Sequence, residues 1–157
     1  MHLDARLQQL FDKADVTDCK HAYIRAADAC DPDRMVESFT EDCVASYEKG
    51  ILIEGREAIR AWYATRVAPV VASSHHVSNI EITFADPDTA TLRCYLFSWQ
   101  RFVDHPATQD RRRFCRYLDT WVRRDGRWLQ SSLICLAAGE FGSGDGLRFG
   151  EYIGWDG

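Results

Sequence analysis

Apolar residues recur at helical spacing through the first third of the chain. Leu7, Leu10, Phe11 and Ala14 form one set, and Val16, Cys19, Tyr23, Ala26, Ala27 and Cys30 a second. Thr17 and Asp18 offer an N-cap between them, which predicts two successive helices. Asp31-Pro32-Asp33 is a restart: Asp31 can cap, and Pro32 suits the first helical position, where its missing N–H costs nothing. The short helix that follows turns Met35, Val36 and Phe39 toward the core. Cys43 to Tyr47 and Ile51 to Ile53 read as short strands around a Lys49-Gly50 turn. Gly55 opens a further helix with Ala58, Ile59, Trp62, Tyr63 and Val67 on its apolar side, and Pro69 ends it.

From His75 onward the period changes to two. Ile80, Ile82 and Phe84 share one face of a strand over His75 to Phe84, and Asp86-Pro87-Asp88 turns the chain. Thr89 to Phe102 is a long strand with apolar residues on both faces, and a polar loop from His105 to Asp110 follows it. Asp125-Gly126 is a hairpin signal between strands at Phe114 to Val122 and Trp128 to Leu136. Helices first and a meandering sheet afterwards is an α+β order. Residues 1–138 read as one unit. Residues 139–157 differ: glycines punctuate Phe141, Phe149, Tyr152 and Trp155, the composition of a lid or a subunit-contact arm.

Composition narrows the function. A chain of 157 residues with 46% hydrophobic and 12% aromatic residues is long enough for one core and too apolar for disorder. The net charge of −5 argues against nucleic acid, since the only dense basic run is Arg111-Arg112-Arg113 with Arg116, which reads as a solvated edge. No apolar run approaches the about 20 residues of a membrane span. Met1 to Arg6 lacks the basic start and apolar block of a signal peptide, so a cytoplasmic location is expected. The six cysteines show no C-x-x-C pair and read as buried, reduced side chains; neither they nor the five histidines suggest a metal or a cofactor.

Six phrases, in order, resemble the SnoaL-like branch of the nuclear-transport-factor-2-like superfamily: Tyr23-x-x-x-x-Asp28-x-x-Asp31, Phe39-Thr40-Glu41-Asp42, Gly55-Arg56-Glu57-Ala58-Ile59, His75-His76-Val77-Ser78-Asn79, Asp88-Thr89-Ala90 and Arg124-Asp125-Gly126-Arg127-Trp128. The resemblance implies a cone-shaped α+β barrel, a curved antiparallel sheet wrapped around the N-terminal helices with an apolar cavity inside. It also implies a homo-oligomer, trimer or dimer. The sheet face bearing Val77, Cys94 and Trp121 is expected to pack on the neighbour. Related proteins include dehydratases, a dehydrochlorinase, ketosteroid isomerases, polyketide cyclases and dioxygenase small subunits, so the fold alone does not settle the function.

By the same resemblance Asp28, His75 and Tyr23 match the dyad and helper of the dehydratases. Taking a proton from carbon needs a neutral imidazole, a carboxylate on its other nitrogen fixes the tautomer, and a phenol can assist a leaving hydroxyl or a carbonyl. Strand alternation by itself would turn His76, not His75, toward Ile80 and Ile82; a bulge between Val77 and Asn79 would reverse that. Trp62, Tyr95, Phe97, Trp99 and Trp121 are the candidates for substrate contact. Leu133 stands where many SnoaL-like chains carry an Arg, with Arg116 or Arg93 as possible substitutes. The expectation is a cofactor-free, dehydratase-type lyase acting on a hydrophobic small molecule. The alternatives are an isomerase or cyclase with the same dyad, a non-catalytic ligand-binding domain, or a dioxygenase small subunit.

Overall fold

The computed structural model describes residues 3–47, 50–141 and 147–149. Helix α1 runs unbroken over Leu3–Asp28, so Thr17 and Asp18 lie inside a helix and not at a second start. Val16, Lys20, Tyr23, Ile24 and Ala27 form one buried stripe that runs across that point. Its packing outweighs the propensity cost of Thr and Asp, less than about 1 kcal/mol each. Cys30, at φ 54°, takes the left-handed position that closes a helix. The Asp31 amide donates back to the Ala26 carbonyl at 3.0 Å, and the Cys30 amide to that of Ala27 at 3.1 Å. Asp31 then caps α2 (Pro32–Met35), accepting from the Arg34 amide, with Pro32 in the first turn.

Strands β1 (Phe39–Tyr47) and β2 (Ile51–Glu54) form a hairpin that leads into α3 (Arg56–Val67). The rest is sheet: β3 (Val70–Asp86), β4 (Thr89–Phe102), one 3-10 turn at Ala107–Gln109, β5 (Arg111–Arg124), β6 (Arg127–Phe141) and β7 (Leu147–Phe149). Asp125 and Gly126, at φ 50° and 75°, turn β5 into β6. The order across the sheet is β2-β1-β6-β5-β4-β3, with β7 added on β6. Pairing is antiparallel except between β1 and β6, which run parallel.

The α+β order holds, but the cone-shaped barrel does not. The sheet is mixed and its path is open, ending at β2 and β3, which do not pair with each other. A four-residue β2 that passes at once into α3 gives the seventeen-residue β3 little to pair with. Sheet β6 continues past residue 138 to Phe141, while residues 142–146 and 150–157 of the expected tail lie outside the described residues.

The core lies between the helices and the sheet, around Val16, Phe39, Ile59, Leu92, Trp121 and Leu133. Cys94 and Trp121 belong to it and Val77 packs against it, so these three do not form an outer face. The face turned away instead carries Phe97, Phe114 and Phe141, each more than a third exposed, at 38%, 39% and 36%. Among the described residues the six cysteines are unpaired by disulfides. Burial pushes the Cys43 thiol up to about 12 and the Cys94 thiol up to about 11, so they act as small hydrophobes. Among the described residues no helix is long and apolar enough to cross a membrane.

One connection carries a pH dependence. Asp110, just before β5, accepts from Arg101 Nε and Nη2 at 2.9 and 2.7 Å and from Trp99 Nε1 at 2.9 Å. The Arg101 hydrogen bonds, working against burial and helped by Trp99, hold its carboxyl down to about 2 from an ordinary 3.8. A depressed native value stabilises fully above the ordinary value and loses that stabilisation as pH falls toward the native one. The urea midpoint of the wild type is therefore expected to fall more steeply between about pH 4 and pH 2 than that of Asp110→Asn. Parallel slopes would contradict this.

Candidate active site

The turn at Cys30 ends α1 just after Asp28, which leaves this carboxylate in the last helical turn beside β3. Three donors meet it. His75 Nδ1 donates to Oδ1 at 2.7 Å, the His75 amide to Oδ2 at 3.1 Å, and Ser73 Oγ to Oδ1 at 3.1 Å. A carboxylate only accepts, so in the neutral imidazole the ring proton resides on Nδ1 and Nε2 keeps the lone pair. The imidazole is mostly buried and lines a cavity of about 260 Å³.

His75 faces Asp28 because β3 changes register between Ser78 and Glu81, with Asn79 at φ 54°. This bulge lets His75 share the inner side with Ile80 and Ile82, and puts His76 outside, where its Nε2 meets Ser74 Oγ at 2.8 Å. Ser73, two residues from His75 on the same face, adds a donor that the sequence reading did not single out.

Tyr23 lines the same cavity as part of a cluster. Its hydroxyl lies 2.9 Å from that of Tyr47 on β1 and 3.4 Å from that of Tyr63 on α3, and the Tyr47 and Tyr63 hydroxyls are 2.5 Å apart. The Tyr23–Tyr63 contact is the longest of the three, so it is the one a ligand oxygen would most readily replace. Burial, with the neighbouring phenols adding to it, pushes the Tyr47 and Tyr63 hydroxyls well above their ordinary value of 10, so both stay neutral donors. Inward alternation in β1 and the i, i+4 relation of Tyr63 to Ile59 mark both tyrosines as core; their convergence on Tyr23 is a tertiary fact.

Of the five aromatic residues expected at the substrate, Trp62 lines the cavity, stacked on Tyr47 at 4.7 Å with the Arg66 guanidinium 4.8 Å from its ring centre. Tyr95 lies under the Arg116 guanidinium at 3.8 Å and Phe97 packs against Phe114 with ring centres 5.3 Å apart and tilted by 42°, both on the opposite face of the sheet. Trp99 is tied to Asp110, and Trp121 is fully buried in the core; neither lines the cavity. Leu133 is also fully buried. The cationic groups of the wall are Arg66 on α3 and, beside Ser98 and Gln100, Arg111 and Arg113 on β5. Among the described residues no three His, Cys, Asp or Glu side chains gather as a metal site requires.

Residues 8–133 match the family described as SnoaL-like domain. No curated protein matches the sequence. Among solved structures, a candidate scytalone dehydratase from Novosphingobium aromaticivorans superimposes with a TM-score of 0.84 at 23% identity, over 96% of this chain and 98% of that one. A hexachlorocyclohexane dehydrochlorinase from Novosphingobium barchaimii gives 0.78 at 18% identity, over 89% and 95%. A candidate aromatic ring hydroxylase from Novosphingobium aromaticivorans gives 0.74 at 22%, over 89% and 94%. At such identities the likeness is one of fold.

Proposed function

The chain belongs to the SnoaL-like family, and from that premise we propose that it is a cofactor-free lyase that eliminates water from a hydrophobic small molecule in the cytoplasm. The observation that supports this reading is the 2.7 Å bond between His75 Nδ1 and Asp28 inside an aromatic-lined cavity. In the proposed reaction Nε2 takes a proton from carbon, and the C–H electron pair becomes the new double bond. The bond to the departing hydroxyl breaks with its electron pair, and the Tyr23 hydroxyl gives it a proton as it leaves. Asp28 stabilises the imidazolium that forms, and transfer of its proton through water to the phenolate restores both the base and the acid.

The test is a panel of hydrophobic β-hydroxy ketones and thioesters, followed by the ultraviolet absorbance of the conjugated product. At least one member should be dehydrated, and His75→Gln should lower that rate by about 10²–10⁴-fold. No turnover across the panel, or full activity in the variant, would sink the proposal. A product that keeps its oxygen but moves its double bond would favour the isomerase instead.

Self-association belongs to the same proposal, with the exposed Phe97, Phe114 and Phe141 stripe as its face. Sedimentation should give a dimer or trimer mass that Phe114→Asp lowers; a monomeric wild type would rule it out.

A further inference from the structure

The register of the sheet sets a line of polar side chains across the cavity wall. His75 on β3 is opposite Ser98 on β4, Ser98 is opposite Arg113 on β5, and Arg113 is opposite Glu140 on β6. Directly opposed residues project from the same face. Two positions along, Ser73 is opposite Gln100 and Gln100 opposite Arg111. His75, Ser98, Gln100, Arg111 and Arg113 all line the one cavity. Arg113 stands two strands from His75, which at the usual strand spacing is roughly 10 Å.

The basic run is thus divided by the pleat. Arg111 and Arg113 turn inward, while Arg112, between them, is opposite Trp99 on the other side, and Arg116 covers Tyr95 on the outer face. Glu140 bonds Arg111 through Nε at 2.9 Å and Nη2 at 3.1 Å, and meets Arg113 Nε at 3.3 Å. The three side chains are half-buried to mostly buried, with Arg113 the most enclosed at 14% exposure. Guanidinium groups keep their charge and match a planar carboxylate with two parallel hydrogen bonds. Leu96, Phe102 and Tyr117 line the same cavity beside Ser98 and Gln100, and partial enclosure strengthens a charged hydrogen bond relative to bulk water.

We propose that Arg113, with Arg111, forms a carboxylate-binding subsite, so that the molecule taken into the cavity is a hydrophobic carboxylic acid with its acid group roughly two strand spacings from the carbon facing His75. This rests on the elimination reading for the role of His75, but the subsite itself does not need catalysis. The acid group anchors one end of the substrate against β5 and sets which C–H reaches the base; Glu140 holds the two guanidinium groups in place from the rim.

Calorimetric binding of cinnamate and its neutral counterpart cinnamamide tests this directly. Wild type should bind cinnamate at least about tenfold more tightly than the amide, the scale of one charged hydrogen bond. Arg113→Met should remove that preference while leaving cinnamamide affinity unchanged, and Arg113→Lys should keep part of it, which separates lost charge from lost fold. Glu140→Gln should tighten cinnamate by removing the competing carboxylate. His75→Gln should keep the preference, so that a failure of the elimination chemistry is distinguishable from a failure of the subsite. Equal binding of acid and amide, no binding of either to the wild type, or a preference that survives in Arg113→Met would each overturn the proposal.

Discussion

Asp28→Asn is expected to lower turnover on any substrate found by the dehydration panel by about 10³–10⁴-fold, with the fold intact. The size is that of replacing an orienting carboxylate behind a histidine base. Asparagine keeps one oxygen, which in the Oδ2 position still accepts from the His75 amide, while its NH2 in the Oδ1 position can donate to Ser73 Oγ, so the strand stays tethered with the Ser73 bond reversed. It changes what faces Nδ1. A carboxylate accepts the Nδ1 proton at 2.7 Å and favours the cation formed during proton abstraction. An amide NH2 turned toward Nδ1 would instead select the tautomer with its proton on Nε2, which has no lone pair there to act as a base. An unchanged circular dichroism spectrum, together with ¹⁵N chemical shifts of the His75 ring moving toward the other tautomer, would locate the loss at the dyad. A rate within tenfold of wild type would contradict the assignment.

The partnership of Asp28 with His75 shows what local sequence signals reach. Asp31-Pro32 marks where α1 must end, and the end of α1 is what brings Asp28 to β3. The choice between the two histidines depended on one residue of extra chain, and the register shift near Asn79 supplies it. Other features were invisible for a common reason: they depend on which elements meet. Period-two alternation assigns faces along a strand, but edge strands do not announce whether they will pair, so an open path and a closed barrel read alike. The parallel β1–β6 pairing is likewise a matter of chain routing. A run of three arginines reads as a solvated edge until the pleat is known to send its first and third members inward. Lys20 and Asp119 are the extreme case, since charged residues in an amphipathic pattern are assigned to solvent and both are fully buried here.

That buried pair should dominate the stability of the molecule when broken. Lys20 Nζ donates to Asp119 Oδ2 at 2.8 Å between α1 and β5, and lies 3.5 Å from the Tyr117 ring centre and 4.9 Å from that of Tyr23. Burial is the largest single influence on the Lys20 ammonium and works against it, but the Asp119 charge and hydrogen bond together with Cys94 and Tyr23 outweigh it and raise its pKa above the ordinary value. Burial pushes the Asp119 carboxyl up, with Lys20 pulling it back, and among the described residues its Oδ1 has no hydrogen-bond partner. Each charge is therefore tolerated chiefly because of the other. Lys20→Met leaves an enclosed carboxylate and is expected to cost about 3–5 kcal/mol in urea unfolding, and Asp119→Leu a similar amount. The double variant Lys20→Met/Asp119→Leu removes both charges at nearly constant volume and should recover most of that loss, since an apolar pair replaces an ion pair that repaid little more than its own desolvation. A double variant as unstable as the singles would mean that shape, not charge, governs the site; a Lys20→Met loss under about 1 kcal/mol would mean that water or a rearranged neighbour satisfies Asp119. Because the ammonium also rests against the ring of Tyr23, the double variant should disturb the tyrosine cluster even where stability recovers, and so separates the pair's part in folding from its part in holding that phenol at the cavity.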